Sequence, residues 1–149
     1  SGMMRYVLTE ANKDLVLLEK EISYLDSYIE LQRIRYGNSL LLNYAISGNI
    51  TGKKIAPLIL IPFVENAFKH GVNAEEDSSI NIELHIKDNT LNLRVTNNKV
   101  NVQLDEADKT GVGLTNVKNR LQLLYPGNHT LMIADNTTAF VTDLKIDLL

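Results

Sequence analysis

Residues 80–87 alternate without exception: Ile80, Ile82, Leu84 and Ile86 are apolar, and Asn81, Glu83, His85 and Lys87 are polar. Successive side chains of a strand point to opposite faces, so this pattern describes a strand with one apolar face and with His85 on the wet side. Asp88-Asn89 forms a turn, and Leu91, Leu93 and Val95 resume the alternation, so residues 80–97 are predicted to be a β-hairpin. A one-sided sheet needs a covering layer. Helix-like and strand-like segments alternate along the rest of the chain, which argues for helices packed on a sheet rather than a bundle or a barrel.

The covering helices are legible from their spacing. Residues 14–39 carry Leu18, Ile22, Leu25 and Ile29 at intervals of three and four, with Glu, Lys and Arg between them. This stripe suits an ordinary surface helix over a core and equally a helix that contacts a partner chain. Residues 3–12 either begin that helix or form a short separate one. Residues 40–47 are mainly apolar and read as a strand before the turns at Ser47-Gly48-Asn49 and Thr51-Gly52. Pro57 suits a first helical turn, and the next helix is predicted to run to His70 with Gly71 as its stop; Pro62 either kinks it or marks its true start. Residues 98–110 are polar and patternless, as a lid would be. Helical spacing returns over residues 111–124 through Leu114, Val117, Leu121 and Leu124, with Lys118 and Arg120 outward, until Pro126-Gly127. Two closing strands are expected at about residues 129–134 and 139–148.

Composition sets outer limits. The chain has 149 residues, a length typical of one domain, with 44% apolar content. A formal charge of −3 and a pI near 5.6 argue against a nucleic-acid partner. There is no cysteine, and His70, His85 and His129 are too scattered for a zinc cluster. No apolar run reaches the ~20 residues that span a bilayer, so the chain is read as soluble. Ser1-Gly2 ahead of Met3 reads as a leftover of expression.

Two segments carry chemistry. In VENAFKHG, residues 64–71, helical geometry puts Asn66, Lys69 and His70 on one face near the helix end, with Glu65 at its edge. An amide oxygen, an ammonium and an imidazole together suit a magnesium-bound polyphosphate, although a solvated polar face has the same spacing. In TGVGLTNVKNRL, residues 110–121, Gly111 and Gly113 stand where a loop enters a helix, and there backbone amides can approach a phosphate. Flexible loop glycines give the same signature. The segment is neither a dinucleotide fingerprint, since Asn116 replaces the third glycine, nor a Walker loop.

The ordered pair of segments resembles the N box and G2 box of the ATPase superfamily that joins histidine kinases, gyrase B, Hsp90 and MutL. The likeness is to sensor histidine kinases of the LytS/YehU type, and it covers roughly residues 3 to 149. It includes Leu18-Glu19-Lys20-Glu21, the run from Tyr28 through Tyr36, Pro57, Val64 through Gly71, and Gly111 through Tyr125. The resemblance implies a two-layer α/β sandwich, with a mixed, largely antiparallel sheet covered on one face by helices and a long N-terminal helix. It implies a helical connector at residues 3–39 and an ATP-binding catalytic domain at residues 40–149. ATP and Mg²⁺ are the implied cofactors: Asn66 would bind Mg²⁺, Lys69 and His70 would contact phosphates or ribose, and Gly111, Gly113 and Leu114 would frame the triphosphate. Glu65 is the candidate for polarising the attacking group.

Two departures bear on activity. Where such kinases carry an Asp-x-Gly box for adenine, this chain reads Thr96-Asn97-Asn98-Lys99. Asn97 can still accept the adenine hydrogen bond but without the charge-assisted part, about 1 kcal/mol weaker. No phospho-acceptor motif of the N-P-H-F type is present, so the acceptor histidine is expected on an upstream segment. The implied protein is a membrane sensor, homodimeric through upstream helices, whose kinase domain is cytoplasmic and whose partner is a response regulator. The alternatives are a catalytically impaired nucleotide-binding module and a kinase of the anti-sigma-factor branch.

Overall fold

The computed structural model describes residues 2–73, 76–100 and 112–148. In chain order these form α1 (Gly2–Glu10), β1 (Val16–Leu17), α2 (Leu18–Tyr36), β2 (Leu40–Ser47), β3 (Lys54–Ile55), α3 (Ile61–Gly71), β4 (Ser78–Lys87), β5 (Thr90–Asn98), α4 (Val112–Leu124), β6 (His129–Asp135) and β7 (Ala139–Asp147). Five strands make one sheet in the order β2-β4-β5-β7-β6. Only the β2–β4 pair in it is parallel, so the sheet is mixed and largely antiparallel, as the resemblance implies. The predicted hairpin is β4–β5, with Ile82 opposite Val95 and Leu84 opposite Leu93.

Alternation decides which face is covered. Ile80, Ile82, Leu84, Ile86, Leu91, Leu93, Val95, Leu144 and Ile146 are each at most 2% exposed, whereas Glu83, His85, Lys87 and Arg94 on the other face reach solvent. Helix α2 presents Leu18, Ile22, Leu25 and Ile29 to the core, and α3 presents Phe63, Val64, Ala67 and Phe68. The two helices meet edge to face at Tyr28 and Phe68, 5.6 Å between ring centres. Because β2 and β4 are parallel, the chain must cross over between them, and α3 lies in that crossover. The topology therefore lays VENAFKHG along the sheet's apolar face.

Several boundaries differ from the sequence reading. Residues 2–10 form a separate helix, and Val16 and Leu17 pair with Ile55 and Lys54 in a two-stranded clasp, which delays the start of α2 to Leu18. Helix α3 begins at Ile61, so Pro62 falls in the first turn, where its missing N–H leaves no intrahelical bond unmade. Gly71 is the last residue of α3 and not a left-handed stop. An added Cβ there would lie 2.8 Å from the Asn97 Cβ, so the glycine allows close approach of helix and sheet. Of the expected lid, residues 101–110 lie outside the described residues, as does Gly111.

Candidate functional site

The exposed side of α3 and the facing side of α4 enclose a cleft of about 280 Å³. From α3 come Pro62, Glu65, Asn66, Lys69 and His70; from α4 come Gly113, Leu114, Asn116, Val117 and Arg120. The three- and four-residue spacing read in the sequence thus brings Asn66, Lys69 and His70 to one wall, and Glu65 lines it too. Asn66 is 9% exposed, at the margin between core and cleft, while Lys69 is exposed and His70 half-buried. The His70 ring lies parallel to Phe140 of β7, 6.4 Å between centres, and the His70 carbonyl accepts the Val100 N–H at 3.4 Å.

The opposite wall begins with the first turn of α4. A Cβ built on Gly113 meets nothing within 4 Å, so the backbone there is open to an approaching group. The first turn of a helix carries unpaired N–H groups and the positive end of its dipole, and both favour an anion. Asn97 does not line this cleft. It is 1% exposed under the end of α3, against Gly71, and its amide nitrogen donates to the Asn98 carbonyl at 3.0 Å.

Arg120 corrects the sequence reading, which placed it outward. Its two terminal nitrogens donate to the carbonyls of Pro57 at 2.9 Å and Leu58 at 3.2 Å, and its side chain lines the cleft. Its neighbour in the fold, Tyr125, accepts the Ala56 N–H at 2.9 Å, and burial raises the Tyr125 hydroxyl above its ordinary value. Asn116 also faces the cleft, although in sequence it served only to exclude the dinucleotide motif. A guanidinium on an amphipathic helix gives no signal of its own when its acceptors are carbonyls 62 and 63 positions away.

The other two histidines have local partners. His85 contacts Ser47 Oγ through Nδ1 at 2.6 Å on the solvent face of the sheet, and His129 Nδ1 lies 2.7 Å from the Tyr125 carbonyl.

The chain is similar to several known proteins. The family model described as histidine kinase matches residues 1–40. An uncharacterised sensor-like histidine kinase of Staphylococcus epidermidis is 29% identical, covering 84% of this chain and 26% of that protein. The sensor protein LytS of the same species is 27% identical over 89% of this chain and 24% of its own length. The catalytic domain of histidine kinase ThkA superposes with a TM-score of 0.64 at 12% identity, over 90% of this chain and 94% of that one. Over most of its length the chain is similar to LytS-type sensor histidine kinases. At such low identity the structural match speaks for the kinase-domain fold alone. Two further structures share that fold: full-length ShkA in complex with AMPPNP, with a TM-score of 0.64 at 16% identity over 99% of this chain and 34% of that one, and ThkA in complex with the response regulator TrrA, 0.58 at 12% over 99% and 46%. The chain spans about a quarter of the length of the curated relatives it matches. Among the described residues, no helix is long and apolar enough to cross a membrane.

Proposed function

We propose that the chain binds Mg·ATP in the α3–α4 cleft and transfers the γ-phosphoryl group to a histidine on an upstream segment of the same protein, from which an aspartate of a response regulator receives it. The observation that carries this reading is the convergence of an amide, an ammonium and an imidazole on α3 with the open first turn of α4 across one cleft. The AMPPNP bound to ShkA and the TrrA bound to ThkA support the nucleotide and the partner by likeness of fold.

The donor set fits the cofactors. Among the described residues, no three His, Asp or Glu side chains cluster as a cage, and Mg²⁺ commonly takes one or two protein oxygens with phosphates and water completing its octahedron. The Asn66 side-chain oxygen would be such a ligand, and the metal would neutralise charge on the phosphates. Lys69 and His70 would contact phosphate or ribose, and Gly113 and Leu114, with Gly111 outside the described residues, would frame the triphosphate. Glu65, on the cleft wall, would polarise the incoming imidazole. Catalysis would rest on positioning and charge neutralisation. Residues 3–39 would connect the domain to upstream dimerisation helices of a homodimeric, membrane-anchored sensor, with residues 40–149 as the catalytic unit.

A specific observation favours a second reading, a nucleotide-binding module without turnover. Asn97, at the place of the adenine-binding carboxylate, is 1% exposed under the end of α3 and does not line the cleft. Titration of the chain with ATP, with and without Mg²⁺, tests binding, and Asn66→Ala is expected to abolish the Mg²⁺-dependent part while far-UV circular dichroism stays unchanged. An unaltered titration would remove the metal assignment. Adding a separate fragment that carries the upstream histidine decides turnover: acid-labile phosphate on it supports the kinase, and tight ATP binding without transfer supports the silent module.

A further inference from the structure

Glu21, an acidic side chain that the nucleotide site does not use, is 2% exposed. It sits on α2 and accepts the Tyr6 hydroxyl from α1, and the backbone N–H groups of Leu58 and Ile59 act on its carboxyl to favour the charged form. The carbonyls of Pro57 and Leu58 accept the two terminal nitrogens of Arg120. These four backbone groups belong to two peptide units only. The Pro57–Leu58 unit offers its N–H to Glu21 and its C=O to Arg120, and the Leu58–Ile59 unit does the same. A trans peptide points its N–H and C=O in opposite directions, so two parallel peptide dipoles bridge the buried anion on α2 to the guanidinium at the cleft.

Outside a right-handed helix, such alignment of successive peptides calls for an unusual backbone conformation. The residue between them, Leu58, has φ +57°, the left-handed conformation that costs an L-residue with a Cβ. A left-handed residue turns neighbouring N–H groups to the same side and makes a concave anion site, here filled by the Glu21 carboxylate. The strain is held by partners on both sides.

We propose that Glu21 is a positioning residue for the nucleotide site: through the Pro57–Ile59 peptides it fixes the Arg120 guanidinium on the cleft wall and ties α2 to the bound nucleotide. The inference rests on the nucleotide reading of the cleft. It gives α2, the helix that would lead to the phospho-acceptor segment, a contact with the site that passes through no side chain of α3.

The test is ATP titration, with Mg²⁺, of the 149-residue chain and of Glu21→Gln, Arg120→Lys and the double variant, beside thermal unfolding of each. Glutamine keeps the shape of Glu21 but has one acceptor oxygen and no charge; lysine cannot span two carbonyls. Glu21→Gln is expected to weaken ATP by about tenfold at pH above the Glu21 value without lowering the unfolding midpoint there, and to add little once Arg120→Lys is present. The affinity ratio of wild type to Glu21→Gln should grow as pH rises through about 7, where the Glu21 carboxyl titrates among Tyr6, Tyr24, Arg120 and Tyr125. Ionisations common to both proteins, ATP's own included, cancel in that ratio. Unchanged ATP affinity in Glu21→Gln, additive losses, or a loss that merely follows unfolding overturns the relay. Failure of the wild type to bind ATP overturns the nucleotide reading, and the relay's role falls with it.

Discussion

At Glu21, burial opposes ionisation. Desolvation pushes its carboxyl up from 4.5 to about 7, against the Leu58 and Ile59 N–H groups and Arg120, which pull it down. The folded value lies above the unfolded one, so between the two the native state holds the extra proton. The stability this group contributes is complete below about 4.5 and is lost as pH rises through about 7, on the order of 3 kcal/mol in all. Glu21→Gln should therefore gain stability relative to wild type as pH is raised, which denaturant melts at several pH values would reveal; parallel pH dependences would show that Glu21 is not the source. A second residue-scale consequence concerns Gly71. A methyl group there meets Asn97 at 2.8 to 3.1 Å, with sheet below and helix above, so neither can yield cheaply. Gly71→Ala is expected to cost about 1–3 kcal/mol by overpacking, measured by urea unfolding, and a neutral result would show that α3 can lift from β5.

The elements that carry the site are fixed by the sheet's one parallel pairing. Strand β2 is an edge, joined to β4 along Leu40 to Ser47 opposite Ser78 to His85. Directly after it comes Gly48, at φ +94°, where a Cβ would stand 1.9 Å from the Ile86 carbonyl oxygen. Gly48→Ala cannot be accommodated with β2 in register. A loss of at least about 2 kcal/mol is expected, with β2 amide signals in NMR spectra shifting most; shifts confined to the turn would mean that the edge is held elsewhere. The sequence made the hairpin and the α2 stripe legible because periods of two and of three to four encode which face is buried. Val16-Leu17 and Lys54-Ile55 are too short to show any period, and no glycine or asparagine marks the left-handed turn at Leu58.

Across the whole molecule one buried cluster runs from Tyr6 to Leu148, so α1 and α2 share their core with the sheet. The candidate site was half legible for the same reason. Asn66, Lys69 and His70 are grouped by helical spacing within one segment, whereas Glu21 and Arg120 are charged positions on amphipathic helices, which are ordinarily solvated. Only the folded chain brings both to the same pair of peptides. Those peptides belong to a connection, outside any helix or strand, yet their donors are turned inward to a buried carboxylate. In deuterated water the amide hydrogens of Leu58 and Ile59 should consequently behave as core protons, retained until the entire fold opens, while those of nearby Thr51 and Gly52 trade quickly. Exchange of all four at one fast rate would mean that this connection breathes on its own.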